Sequence, residues 1–292
     1  VPRRALILLA ALAGTGAAAA GCGGGSPTTP TAAAPAPVQQ VANGPARAAA
    51  PAVARRRPVH VAPSRAAVPI LMYHVIGIPP AGAAYPGLWV APDAFRAQVD
   101  ALAGAGFTAV TLDTVLDAWQ GRARLPAHPV VLSFDDGYLG QGTVAMPVLA
   151  ARGWPGVINV VVKNIGIPGG ISLTRLRQMV RAGWEVDAHS LTHPDLTTLA
   201  AAALAHELAG SRAQLRARLG VAVDAFCYPA GRYDAAVEAA ARAAGYRAAT
   251  TEVPGAARPG DDPWALPRIR VSGGDVPAAV LARVRAALGS GA

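Results

Sequence analysis

From Val68 to the end of the chain, short apolar runs of strand length alternate with longer amphipathic runs of helical period. That alternation is the strongest constraint on the fold. A strand that feeds a helix and then another strand must place the two strands parallel, with the helix packed across them. The strand-like runs are 70–73, 108–111, 130–134, 157–162, 185–188, 225–228, 247–250 and 268–271. The helical runs are 92–104, 112–120, 142–152, 172–182, 199–219, 234–244 and 276–288. Pro92 and Pro277 stand where first-turn residues belong, and Gly153, Gly183, Gly220 and Gly245 follow predicted helix ends. Seven or eight such repeats suit a closed or nearly closed β/α barrel; a doubly wound open sheet is the alternative. The sequence shows no G-x-G-x-x-G after the first strand and no phosphate-binding G-x-x-x-x-G-K-[ST], so nucleotide chemistry has no support.

The front of the chain follows other rules. Arg3 and Arg4 precede a short apolar stretch, Ala5–Ala13, and then small residues, which is the grammar of a signal peptide over residues 1–21. Ala19-Ala20-Gly21-Cys22 resembles a bacterial lipobox, so Cys22 is the expected lipidation site and the membrane the expected anchor. An ordinary secretory signal is the alternative. Either reading places the protein outside the cytoplasm. Residues 22–67 are rich in Ala, Pro, Gly and Thr and are expected to form an unstructured spacer. The catalytic domain is then 68–292. The chain carries a net charge of +9, but residues 1–67 hold seven arginines and no Asp or Glu. The remaining body carries only +2 and offers no footprint for nucleic acid. A monomer is expected.

Within the body, Val130-Val131-Leu132-Ser133-Phe134 runs straight into Asp135-Asp136-Gly137. Two adjacent carboxylates at a buried strand end repel, and each makes the other harder to ionise. A cation nearby would offset that. His189 and His193, at i and i+4, would face one way on a helical turn and could grip one ion. In a β/α barrel chemistry gathers at the C-terminal ends of the strands. His74, Asp135, Asp136, His189 and Tyr228-Pro229 all end predicted strands and so share a rim. Two imidazoles and one carboxylate leave a coordination position open for water, which suits amide or ester hydrolysis. The donors by themselves would accept zinc, cobalt or nickel.

Ser133-Phe134-Asp135-Asp136-Gly137, His189-Ser190-Leu191-Thr192-His193 and Phe226-Cys227-Tyr228-Pro229-Ala230-Gly231 resemble, in order and spacing, three motifs of the polysaccharide deacetylases, the NodB homology domain. The resemblance implies a distorted (β/α)7 barrel. It implies Asp135 as catalytic base, Asp136, His189 and His193 as ligands of a divalent metal, zinc above all, and a backbone N–H near Ala230, in the Tyr228-Pro229-Ala230 turn, as an oxyanion donor. Two departures follow. The family's third motif commonly carries an arginine that orients the base, and Cys227 stands there; Arg268 is the candidate replacement from another strand end. The family's late general-acid histidine is missing. Ile70-Leu71-Met72-Tyr73-His74 resembles the start of the branch that includes the biofilm poly-N-acetylglucosamine deacetylases, which makes His74 the expected acid. The reaction implied is removal of N-acetyl groups from a cell-surface polysaccharide; an O-acetyl esterase and a non-catalytic carbohydrate-binding protein are the alternatives. Cys227 is expected to be a small buried apolar residue. Trp89 and Trp264, in predicted loops, are candidates for stacking on sugar, and Trp184 is expected in the core.

Overall fold

The computed structural model of the protein describes residues 61–289. The expected signal peptide, Cys22 and all of the spacer before Val61 lie outside the described residues. Seven strands form the barrel: β1 (Val68–Tyr73), β2 (Pro129–Asp136), β3 (Val157–Val160), β4 (Glu185–Ala188), β5 (Ala225–Cys227), β6 (Ala248–Pro254) and β7 (Leu266–Arg270). Each pairs in parallel with the next, and β7 and β2 both pair with β1, so the sheet closes. The helices are α1 (Pro92–Gly104), α2 (Leu112–Trp119), α3 (Met146–Ala150), α4 (Leu173–Arg181), α5 (Ala201–Leu219), α6 (Ala235–Ala243) and α7 (Pro277–Gly289). This is a NodB-like (β/α)7 barrel, and the open-sheet alternative is excluded by the β1–β2 pairing.

The helix starts have local causes. Ser172 accepts from the Arg175 N–H (3.2 Å), and Asp234 from the Val237 N–H (2.9 Å). Gly220 ends α5 in the left-handed region, where a Cβ would be strained. Two predicted elements change. The run 108–111 pairs only through Thr108–Ala109, against the first residues of β2, and stays outside the barrel. The helix expected over 142–152 opens as a π-helical turn over Gln141–Ala145 before α3. The cause is close packing: a Cβ on Gly140 would lie 1.9 Å from the Ile76 carbonyl oxygen. The amide of Gln141 also ties down both neighbouring strand ends, donating to the carbonyls of His74 (2.8 Å) and Asp135 (2.6 Å).

The barrel interior is layered by strand parity. On β2, Val130, Leu132 and Phe134 face the helices, in the main apolar cluster. Val131 faces inward, with Val157, Ala225, Ala248 and Leu266, and meets Leu112, Val115 and Leu116 of α2, which plugs the base. Ser133 and Asp135 continue the inward row towards the mouth. Residues 61–66 run along that plug. The Val61 and Ser64 N–H groups donate to the Gly121 and Ala118 carbonyls (3.0 and 2.9 Å), and the Trp119 indole donates to the Ala66 carbonyl (3.0 Å).

Near the base, Glu185 accepts from the Asp113 N–H at the start of α2 (2.9 Å), and Asp187 accepts from the Ala225 N–H (3.2 Å). Burial, reinforced by neighbouring carboxylates, pushes Glu185 well above the carboxylate range, Asp187 up to about 7 and Asp113 up to about 6. Arg247 pairs with Asp113 and opposes the last shift. The folded state therefore holds protons that the unfolded chain releases near pH 4. The resulting stabilisation is complete below pH 4 and is lost as pH rises through about 6 to 7. The melting temperature is expected to fall between pH 5 and pH 8, and Glu185→Gln to flatten part of that slope. An identical slope in wild type and variant would show that the cluster is not linked to folding.

Candidate active site

Asp135 is 1% exposed, and so is Arg268. The Arg268 guanidinium donates to both carboxylate oxygens, Nη1 to Oδ1 and Nη2 to Oδ2, each at 2.8 Å. Its Nε donates to the Thr251 carbonyl (2.8 Å), and Nη1 also reaches Ser133 Oγ (3.3 Å). Asn159 Nδ2 donates to Asp135 Oδ1 (2.7 Å). Burial alone would raise the Asp135 carboxyl, but the charge and hydrogen bonds of Arg268 outweigh it and hold it far below the usual range. Asp135 is therefore ionised, and its compensating charge is internal.

Cys227 was expected in an apolar setting. It is fully buried, but its Sγ lies 3.2 Å from Arg268 Nη2 and 3.7 Å from Asp135 Oδ2, so it packs against the ion pair. A small side chain on β5 leaves the room that the guanidinium from β7 occupies.

Asp136 turns the other way because its backbone is left-handed (φ 75°). Its Oδ1 lies 3.6 Å from both His189 Nε2 and His193 Nε2. The two rings meet edge to face, 4.8 Å apart. His189 Nδ1 lies 2.7 Å from the Cys227 carbonyl, which can only accept, so Nδ1 carries a hydrogen and Nε2 is the nitrogen that faces Asp136. The histidine pair does not sit on a helical turn as its spacing suggested. Ser190 (φ 67°) and His193 (φ 62°) are left-handed, and the loop is pinned from α5. There Glu207 Oε2 accepts from the Leu191 and Thr192 N–H groups (2.8 and 2.9 Å), and Oε1 from the Thr192 hydroxyl (2.7 Å).

His74 lies 3.9 Å from Asp135, Nε2 to Oδ2, and its Nδ1 is buried with no hydrogen-bond partner. Burial pushes its pKa down and outweighs the two aspartates, so it is neutral at pH 7. The Tyr228-Pro229-Ala230 turn bends at Ala230 (φ 52°), which lines the same cavity. The Tyr228 ring turns away and stacks on Tyr233 (centroids 4.8 Å apart). Asp136, Ser190, His193 and Ala230 are the left-handed non-glycine residues among those described, and all four stand at this site. Each such backbone costs roughly 1–2 kcal/mol, so the surrounding contacts must impose it.

His74, Asp135, Asp136, His189, His193 and Ala230 line one cavity of about 720 Å³ at the barrel mouth, with Tyr85, Glu252 and Arg270 on its far wall. Arg270 and Glu252 pair at 2.5 Å. Trp264 is not there: it precedes β7 near the base, nearly buried, beneath Arg242. Trp184 is in the core, as expected. Asn159, Gln141 and Glu207 escaped the sequence reading because each acts from an element that carries no motif.

The donor set fits a divalent ion. One ligand atom from each of Asp136, His189 and His193 lies within 4.8 Å of the others. The 3.6 Å carboxylate–imidazole spacings approach those of donors bound about 2.1 Å from one tetrahedral ion. His189 also has the outer hydrogen bond that fixes a ligand imidazole in its binding tautomer.

A closed parallel barrel with an ionised aspartate beside a carboxylate–imidazole trio at its mouth defines a hydrolase of the NodB-like class. Residues 122–249 match the family model described as polysaccharide deacetylase. The chain is 29% identical over 209 residues to the Bacillus subtilis (strain 168) protein YxkH, named as a polysaccharide deacetylase, covering 72% of this chain and 73% of that one. It superposes on the Streptococcus pyogenes deacetylase PplD, solved in complex with acetate, with a TM-score of 0.70 and 26% identity, over 75% of this chain and 99% of that one. The IcaB structure from Ammonifex degensii gives 0.65 and 25%, over 76% and 98%. Residues 122–249, the stretch that carries the three motifs, are thus similar to the polysaccharide deacetylases. His74 and Arg268 fall outside the matched segment, and the fold alone brings them to its site.

Proposed function

We propose that the protein removes N-acetyl groups from an N-acetylglucosamine-containing polysaccharide, poly-N-acetylglucosamine or peptidoglycan, and releases acetate. One observation carries the reading: the ionised, arginine-held Asp135 shares a cavity with the Asp136–His189–His193 trio and with Ala230. A divalent ion held by that trio, zinc by preference, would supply Lewis acidity towards the acetamide carbonyl and lower the pKa of water. Asp135 accepts the proton of the attacking water, and Arg268 fixes the direction of its lone pairs. The backbone N–H at the Ala230 turn donates to the oxyanion that develops on the carbonyl oxygen. His74 starts neutral; its Nε2, 3.9 Å from Asp135 Oδ2, is placed to take the water's proton on from Asp135 and deliver it to the amine nitrogen as the carbon–nitrogen bond breaks. The acetate in the PplD structure supports acetate as the product. The pairing of Arg268 with Asp135, where Cys227 supplies no arginine, supports a catalytic barrel over a merely sugar-binding one.

The test is acetate release by the full-length zinc-loaded protein from N-acetylglucosamine oligomers, beside O-acetylated xylan. Release from the oligomers is expected. Release from xylan alone would make the protein an O-acetyl esterase and sink the N-deacetylase reading.

A further inference from the structure

Charge on this barrel is segregated by end. The strands are parallel, so each is entered from the base and left at the mouth. Arg65 and Arg124 stand in the segments that feed β1 and β2. Arg181 is the last residue of α4, Arg216 and Arg218 are in the last turn of α5, and Arg285 is in the second half of α7. All six are exposed on the base side, and none has a carboxylate partner among the described residues. The carboxylates of that end are already matched. Asp113 and Asp117 pair with Arg247, Asp224 with Arg212 and Asp262 with Arg242. Asp261 accepts from the Arg258 N–H (2.7 Å), Glu185 bonds the start of α2, and Asp187 is buried. The unpaired charges at the mouth balance instead, Arg96, Lys163 and Arg175 against Asp93, Asp136 and Asp234.

Apolar surface is segregated the other way. Among the described residues the exposed large apolar side chains are Ile78, Tyr85, Leu139, Ile167 and Val276, all in loops that leave strands at the mouth, and Val253 in β6. The segments that feed the strands at the base expose none of them. Helix dipoles account for part of the charge pattern, since cations are favoured at helix C-termini. They do not account for Arg65 and Arg124, which lie outside any helix.

The chain also enters at this end. Residues 61–66 lie along α2, held by the Val61 and Ser64 N–H groups, and a Cβ on Gly121 would come 2.5 Å from the Val61 carbonyl oxygen. Residues 1–60 of the sequence therefore join the body at its positive end, and Arg55-Arg56-Arg57 stand just before the junction.

We infer that the base is a docking face for an anionic lipid surface, which turns the mouth away from the bilayer. Guanidinium groups bond phosphate headgroups in a two-pronged fork. With no large apolar side chain to insert, the contact stays at headgroup depth and weakens with salt. The point of entry favours a membrane over a free polyanion. A docked base brings the Val61 junction and the three arginines before it to the same charged plane, a coincidence that a passing polymer strand does not require. The inference goes beyond the reaction assigned to the mouth and does not depend on it.

The test uses full-length protein carrying Cys22→Ser, so that no acyl chain contributes. It is titrated with vesicles of phosphatidylglycerol and phosphatidylcholine, and with phosphatidylcholine alone. Two further proteins add Arg181→Gln/Arg216→Gln/Arg218→Gln or Arg65→Gln/Arg124→Gln, and each should keep a cooperative thermal transition. An arginine near an anionic surface is worth about fivefold in binding, so the triple set should weaken binding to the anionic vesicles by ~100-fold and the double set by ~25-fold. The parent should ignore phosphatidylcholine and release anionic vesicles at ~1 M salt. A dye on Ala217→Cys, at the base, should transfer energy to a headgroup acceptor more efficiently than one on Ile78→Cys, at the mouth. Equal or reversed transfer, full vesicle binding by both substituted sets, or no binding by the parent overturns the docking face. Loss of binding to soluble polyglycerol phosphate in the substituted proteins, with vesicle binding intact, assigns the base to an anionic polymer and also overturns it. The expected vesicle results with no acetate released from soluble oligomers would uphold the docking face and remove the deacetylase reading.

Discussion

Arg268→Met is expected to destabilise the domain by about 3–5 kcal/mol, because it strands the buried charge of Asp135 without its partner. Acetate release is expected to fall by ~10³-fold, within the range for loss of a positioned acid–base group. The two effects separate by a double variant. In Arg268→Met/Asp135→Asn no unpaired charge is left inside the barrel. Much of the stability should return, while the rate stays at the low level of Asp135→Asn alone. Urea unfolding of the four proteins measures the coupling. A single variant as stable as wild type would mean that the paired geometry contributes nothing, and the role assigned to Arg268 would fall with it. The prediction is steep because the pair is dry: at 1% exposure on both sides, water does not screen the charge that remains.

His189→Ala is expected to lower metal affinity by more than ~100-fold, beyond the 10–100-fold typical of an outer-shell partner, and to abolish acetate release with it. Glu207→Gln should fall inside that outer-shell range, since Glu207 touches no ligand atom and only pins the loop between the two histidines. Stoichiometric zinc binding read by titration orders the series as wild type, Glu207→Gln, His189→Ala. A chelator should silence the wild type, and added zinc should restore it. Full activity in chelator, or full zinc binding by His189→Ala, would show that Asp136, His189 and His193 are not the ion's ligands. The histidine spacing supported the pair for a geometric reason that the structure corrects. The side chains converge because Ser190 and His193 take left-handed backbones that Glu207 enforces, not because they rise along one face of a helix.

Alternation of apolar runs was enough to announce parallel strands with helical crossovers, in a barrel or an open sheet, since parity and period are local properties of a chain; the pairing of β1 with β2 decided for the barrel. Where the reading slipped, local preference yielded to packing. Thr108–Thr111 looked like a strand, but only Thr108–Ala109 pairs, and the chain turns into the helix that plugs the base. Residues 142–152 looked like one helix, but the approach of Gly140 to Ile76 opens its first turn. Trp264 looked like a sugar platform and lies near the far end.

The sequence by itself determined the order of the strands, the three motifs, and hence Asp135, Asp136, His189, His193 and the Ala230 turn as one site. Those residues are legible because each sits at a strand end with a recognisable neighbour. Only the tertiary structure decided that Arg268, far from Asp135 along the chain, is the cation beside it. Only the structure showed that Cys227 makes the space, and that the apolar loops gather around one mouth. Closure of the barrel sets these facts. It brings β7 against β1, and thereby faces inward residues from opposite ends of the chain across a single dry interior.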